Sequence, residues 1–212
     1  MWVRLRWRSN SLRRRTGLII DIGRFVLNEA CRSAIAWLPE RTSIAVNVSG
    51  AELGEPDYVE HVIHALAHSG LAPDRLILEV TETTLGADAD TAIETLQRLR
   101  RLGIRVAIDD FGVGYSSLSR LARLPVDILK LDRSFVTELI VGGDDAAGYR
   151  GNARLVAAIA SVAEAAGLTT IAEGIERRSR PSCWRVSASR TARVTCSDGP
   201  CPSRTWPPPW IS

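Results

Sequence analysis

Between Leu18 and Glu176, short β-branched runs alternate with single amphipathic helices, and this alternation narrows the possible folds sharply. Ser43–Val48 (SIAVNV), Arg75–Val80 (RLILEV), Ile104–Asp109 (IRVAID), Val126–Leu131 (VDILKL) and Leu168–Glu173 (LTTIAE) read as buried strands. Helical periodicity fills Ile19 to Trp37, Asp57 to Ser69, Asp88 to Leu102 and Arg154 to Ala166. Val59, Val62, Ile63 and Leu66 form the apolar face of the second of these helices, and Gly70, Gly103 and Gly167 supply stop signals. Strands joined by single helices are parallel neighbours, buried on both faces. The class is therefore α/β. A barrel and a doubly wound sheet fit this pattern equally well.

The chain has 212 residues, fewer than the roughly 250 of a closed (β/α)8 barrel. An apolar content of 45% and a charged content of 24% are ordinary for a soluble globular chain. No apolar run nears the ~18–20 residues needed to cross a bilayer, and the N-terminus lacks the apolar core of a secretion signal. A cytoplasmic chain with no membrane segment is expected. Charge is concentrated at the ends: residues 1–15 hold six Arg and no acid, and residues 177–212 hold seven Arg and one acid, Asp198. The composition of 177–212, rich in Trp, Cys, Pro, Ser and Arg without an apolar period, resembles translation in a shifted frame. These ends are accordingly not read as DNA- or RNA-binding arms. Cys183, Cys196 and Cys201 lack metal-ligand spacing, and Cys31, near Ala30 and Ala34, reads as a small core residue. His61, His64 and His68 read as a solvated helix flank.

Polar groups recur where the strands end. They are Asn47, Glu79, Asp109 with Asp110, Lys130 and Glu173, one set for each of five successive strands. Parallel α/β folds build their sites on that face. Carboxylate and amide oxygens suit hard Mg²⁺ or Mn²⁺. Two adjacent Asp repel each other without a cation, and such a pair can face two metals ~3.5–4 Å apart, the arrangement that supports in-line attack on a phosphodiester. Turn chemistry ahead of Gly112 and Gly114 is the alternative explanation of the Asp pair. Lys130 is the sole lysine among 27 basic residues, in a chain that otherwise uses Arg, which points to a position where a compact ammonium is needed.

The segment DDFGVGYSSLSRLARLPVDILKLDRSFV, with VNVS, LEVTET and IAEGIE in order around it, resembles the motif set of EAL domains over about residues 16–176. The resemblance implies a modified TIM barrel that hydrolyses cyclic di-GMP to linear pGpG with two Mg²⁺ or Mn²⁺. By position it makes Asn47, Glu79 and Asp109 metal ligands and Asp110 a ligand of the second metal. Lys130 matches the lysine that holds the attacking water, and Glu173 a general base or second-metal ligand. Glu82 matches the glutamate that steadies the loop Phe111 to Ser117. Asp132 reads more simply as an N-cap for a helix from Arg133.

The Glu-Ala-Leu signature of that family is absent. Arg6-Trp7-Arg8 faintly matches the residues that follow it, which would put Trp2 at the glutamate's position. Nothing after Glu176 matches the family's last strand, and Val141 to Asn152 reads as an inserted polar loop. The expected fold is therefore an incomplete TIM-like (β/α) barrel of about five parallel βα units, lacking N-terminal strands and the last strand. Its expected divisions are a non-matching basic segment 1–15, a partial EAL domain 16–176 and a disordered, dispensable tail 177–212. Unpaired edges near Ile44–Val48 and Thr169–Ala172, and a wet apolar sheet face, would then promote self-association. The functional expectation is a metal-dependent cyclic di-GMP phosphodiesterase by descent, impaired or inactive in this copy. A non-catalytic module that binds cyclic di-GMP or a protein, or a pseudogene-like fragment, is the competing expectation.

Overall fold

The computed structural model describes residues 2–5, 18–85, 89–111, 124–132, 146–172, 184–187 and 193–196. They fall in two compact units, one up to Ala107 and one from Ile108 onward.

In the first unit three parallel strands lie side by side: β1 (Trp2–Leu5), β2 (Ser43–Asn47) and β3 (Leu76–Thr81). Ile44, Val46, Leu76, Ile77, Leu78 and Val80 are all buried, as strands covered on both faces require. Helices α1 (Leu18–Trp37), α2 (Gly50–Leu53), α3 (Tyr58–Ser69) and α4 (Asp90–Arg101) join and cover them. From α1, Leu27, Ala30, Cys31 and Ala34 enter the core, and α3 contributes Val59, Val62, Ala65 and Leu66. Burial pushes the Cys31 thiol up to about 11, as befits a small core residue. Ile63 departs from the expected apolar face and is 45% exposed. One residue is 100° of helix rotation, so Ile63 turns outward when Val59, Val62 and Leu66 turn in.

Strand β4 (Arg105–Phe111) is divided by the unit boundary, with Ile108 to Phe111 in the second unit. There β5 (Ile128–Leu131) and β6 (Thr169–Ala172) pair in parallel. Helix α5 (Ala146–Ala165) precedes β6 and buries Val156, Ile159, Ala160 and Ala163. It begins eight residues before the expected start at Arg154, so part of the supposed loop Val141 to Asn152 is helical. The glycines of that stretch suggest a loop, but Ala146, Ala147 and Ala153 favour helix. Gly167 ends the helix at φ 77°, and Gly103 follows α4 at φ 91°; both conformations are costly for a residue with a Cβ.

Both edges expected to be open are paired within the chain. β1 lies in register on β2 from Trp2↔Ser43 to Leu5↔Val46. β6 pairs antiparallel with β7 (Trp184–Ser187), which pairs antiparallel with β8 (Arg193–Cys196). The tail 177–212 thus contains a hairpin where disorder was expected. Its strands read WRVS and RVTC, a two-residue alternation hidden among Pro, Ser and Arg and too short to register as a period. The apolar side chains expected to be wet are also buried, including Ile44, Leu76, Leu78, Ile104, Val106 and Ile108. Neither the two edges nor these side chains now give a reason for chains to join.

Arg75 closes the end of α1. Its Nε donates to Thr42 O at 2.9 Å, and its Nη2 donates to Pro39 O at 3.1 Å and Ala34 O at 3.3 Å. Pro39 and Thr42 lie in the turn after the helix, while Ala34 O also accepts from Leu38 N–H at 3.2 Å, and a cation there complements the negative end of the helix dipole. Arg75→Ala is expected to lower unfolding free energy by about 2 kcal/mol, through lost charge-assisted hydrogen bonds. Urea denaturation followed by circular dichroism measures this, and an unchanged midpoint would show that water replaces the guanidinium at no cost.

Candidate active site

In the first unit, Asn47 and Glu79 end up side by side because β2 and β3 run parallel in register, Asn47↔Glu79. The register continues past β2, where Val48 N–H donates to Glu79 O at 2.8 Å. Glu79 is 1% exposed, and Asn47 is half-buried. The next residues leave the strand in a turn of 3-10 helix, Glu82–Leu85. Thr81 Oγ1 shares hydrogen bonds with Thr83 Oγ1 at 2.9 Å and Thr84 Oγ1 at 3.0 Å. Glu82 Oε2 is buried without a hydrogen-bond partner among the described residues. The loop that Glu82 was expected to steady lies, beyond Phe111, outside the described residues.

In the second unit, Lys130 and Asp109 meet. Lys130 Nζ donates to Asp109 Oδ1 at 2.9 Å, with the lysine 0% and the aspartate 2% exposed. A fully buried ammonium is rare and persists only when an anion and hydrogen bonds compensate its lost hydration. Lys130 stands on β5 between Leu129 and Leu131, both buried, so the charge interrupts an otherwise apolar strand. Asp110 follows with φ 54°, the left-handed region that Asp tolerates better than most side chains. The pleat breaks there, leaving Asp110 exposed beside a buried Asp109. Glu173 follows β6 directly and lies outside the described residues, as does the helix that Asp132 was expected to cap.

The first unit thus brings Asn47 and Glu79 together, and the second brings Asp109 and Lys130 together. Trp2 is the residue that the Arg6-Trp7-Arg8 match aligns with the signature glutamate. It pairs with Ser43 at the start of β2, four residues before Asn47. The histidines behave as a solvated flank: His61 Nδ1 lies 3.0 Å from Asp57 O, and the exposed rings of His64 and His68 stack at 5.1 Å. Sequence reasoning missed Ser49 and Glu52, which form a reciprocal capping box at α2. The signal was present as Ser-x-x-Glu just after Asn47.

Among the described residues no three His, Cys, Asp or Glu side chains form a ready-made metal cluster. The candidate donors are instead a mixed set of carboxylates and one amide. Their oxygen-only chemistry fits a hard divalent cation, which would also offset the lost hydration of the buried Glu79 and Asp109 carboxylates.

A family model described as the EAL domain matches residues 8–182. The chain is 44% identical over 168 residues to the bifunctional diguanylate cyclase/cyclic di-GMP phosphodiesterase MucR of Pseudomonas aeruginosa, covering 78% of this chain and 24% of MucR. It therefore spans about a quarter of that relative's length. The structure of the PaMucR phosphodiesterase in complex with c-di-GMP superposes with a TM-score of 0.68 at 41% identity, covering 79% of this chain and 66% of that one. The manganese/cy-diGMP complex of Klebsiella pneumoniae BlrP1 gives a TM-score of 0.67 at 30% identity, covering 79% and 40%. Parallel strands with intervening helices, polar groups at the strand ends and a family match over most of the chain agree: this protein belongs to the EAL domain family, with an α/β fold like the TIM-like barrel of that family.

Proposed function

We propose that this chain is a cyclic di-GMP-binding EAL domain whose phosphodiesterase chemistry is impaired. The observation that carries the reading is the Lys130–Asp109 pair, a fully buried lysine bonded to a carboxylate at a strand end. Such a pair is costly to bury as a mere strut, since apolar residues of similar size often serve stability better. Its retention fits a role toward a ligand. PaMucR and BlrP1, both solved with cyclic di-GMP, support that dinucleotide as the ligand.

Asn47, Glu79, Asp109 and Asp110 would hold Mg²⁺ or Mn²⁺. The bound cation would supply Lewis-acid polarisation of the phosphodiester. Lys130 fixes the orientation of the Asp109 carboxylate through the 2.9 Å bond. An ammonium has three N–H donors, so Lys130 can serve Asp109 and a water or phosphate oxygen together. Its charge also offsets the repulsion that neighbouring carboxylates exert on an approaching phosphate. Glu173 is assigned here as general base or second-metal ligand, and Glu82 as the support of the loop after Asp110.

Impairment follows from the residues of β1. The strand beside β2 reads Trp2, Val3, Arg4 and Leu5, and none of these is a carboxylate. The family's signature glutamate has no counterpart there. One fewer anionic ligand weakens a divalent site and leaves the remaining carboxylates less neutralised. Binding without efficient turnover is the consequence.

Calorimetry in Mn²⁺ is expected to show cyclic di-GMP binding, and chromatography of the same mixture little linear dinucleotide. Linear product formed as fast as by a MucR phosphodiesterase domain would overturn the impairment, and no binding would overturn the whole reading. Asp109→Asn is expected to weaken Mn²⁺ binding; equal affinity would place the metal elsewhere. Lys130→Met leaves a buried carboxylate without its cation and should destabilise the fold by about 3–5 kcal/mol in urea denaturation. A stability matching the parent would show that Asp109 does not need Lys130.

A further inference from the structure

Asn47 is followed, two residues on, by the reciprocal capping box. Ser49 N–H donates to Glu52 Oε2 at 2.8 Å, Ser49 Oγ donates to the same oxygen at 2.6 Å, and Glu52 N–H donates back to Ser49 Oγ at 3.3 Å. A capping box on a helix of four residues is far more hydrogen bonding than so short a helix needs. Its glutamate is also misplaced for a surface cap, being only 5% exposed. Burial pushes the Glu52 carboxyl upward, opposed by its hydrogen bonds from Ser49. Burial, and then the nearby Glu52 and Cys31, push the Tyr58 hydroxyl well up.

Glu52 fits in this buried position because α1 carries glycine at position 23. A Cβ on Gly23 would run into Glu52 Oε1 and Cδ. Glycine in the middle of a 20-residue helix is unfavourable, so its presence at this contact calls for a reason. On the other side α2 is anchored by Thr95 of α4, whose Oγ1 donates to Leu53 O at 3.0 Å in the interior. The segment after β2 is therefore held at Val48 by Glu79 O, at Ser49 by Glu52 and at Leu53 by Thr95. Asn47 is the residue that these restraints flank.

We propose that Glu52, seated in the notch left by Gly23, is the positioning residue of the metal site: it pins Ser49 and so fixes the strand end that presents Asn47. The inference rests on the reading of Asn47 as a metal ligand. Glu52 touches neither metal nor substrate and acts through Ser49. Groups that orient metal ligands from behind commonly change metal affinity by about 10–100-fold when removed.

Gly23→Ala separates this role from general stability. Ala favours helix over Gly, and the atom it displaces is the far end of a flexible side chain, so the melting temperature should stay within a few degrees of the parent. The glutamate, pushed from its notch, should release Ser49. Amide hydrogen exchange at Ser49, read without metal, is expected to accelerate in Gly23→Ala and in Glu52→Ala. Mn²⁺ affinity by calorimetry is expected to fall about tenfold in both. Glu52→Gln, which keeps an oxygen acceptor for Ser49, should restore slow exchange and affinity together. An unchanged Ser49 amide in both Gly23→Ala and Glu52→Ala would overturn the proposal, as would a released amide with undiminished Mn²⁺ binding. In the latter case the metal-site reading survives. A parent chain that binds no Mn²⁺ would end both.

Discussion

A parallel strand covered on both faces can carry only apolar side chains along its length, and this constraint orders the rest of the structure. In β3, Leu76, Ile77, Leu78 and Val80 are all buried, and the first strong polar group toward the strand end is Glu79. The same holds for β2, where Ile44, Ala45 and Val46 precede Asn47, and for β4, where Val106, Ala107 and Ile108 precede Asp109. Polar chemistry is thereby confined to strand ends, which is where this family builds its site. Lys130 is the positively charged member of this set. It sits within β5, buried completely, and the chain tolerates it because Asp109 compensates the charge.

Confining polar groups to strand ends creates a second requirement, because a chain leaving a strand is normally its least restrained part. Among the described residues the exits of β2 and β3 are held. Val48 extends the β2–β3 ladder by one hydrogen bond, the Ser49–Glu52 box fixes the start of α2, and Thr95 fixes its end. Past β3, the three threonine hydroxyls bond among themselves. At the end of β4 the left-handed Asp110 breaks the pleat, so that two consecutive aspartates meet quite different environments. Groups held in this way are preorganised for a ligand, at a cost in local backbone freedom that the surrounding packing offsets.

Charge balance ties the site to its expected chemistry. Glu79 and Asp109 are buried carboxylates, and their lost hydration has to be offset by a cation or by hydrogen bonds. Lys130 supplies such a cation to Asp109 by direct contact at 2.9 Å. A divalent cation would do the same for a larger oxygen set.

The α/β class, the order of the strands from Ser43 to Ala172 and the helix stops at Gly103 and Gly167 were legible in the sequence, because they depend on local periodicity and on the backbone freedom of single glycines. The family was legible too, from long motifs in order. Four features were not. The pairing of β1 with β2 and the β7–β8 hairpin join segments of four residues, too short to show a period, through backbone hydrogen bonds that do not depend on side-chain identity. Ile63 looked like a core residue and faces outward, because a neighbouring element selects which arc of a helix is covered. Glu52, which the sequence pattern did not single out, is a buried acid, because a glycine 29 positions earlier leaves room for it. Composition and pattern determined which elements form and which chemistry they carry; only packing between elements distant in the chain decided which side chains are buried and which strand ends are held.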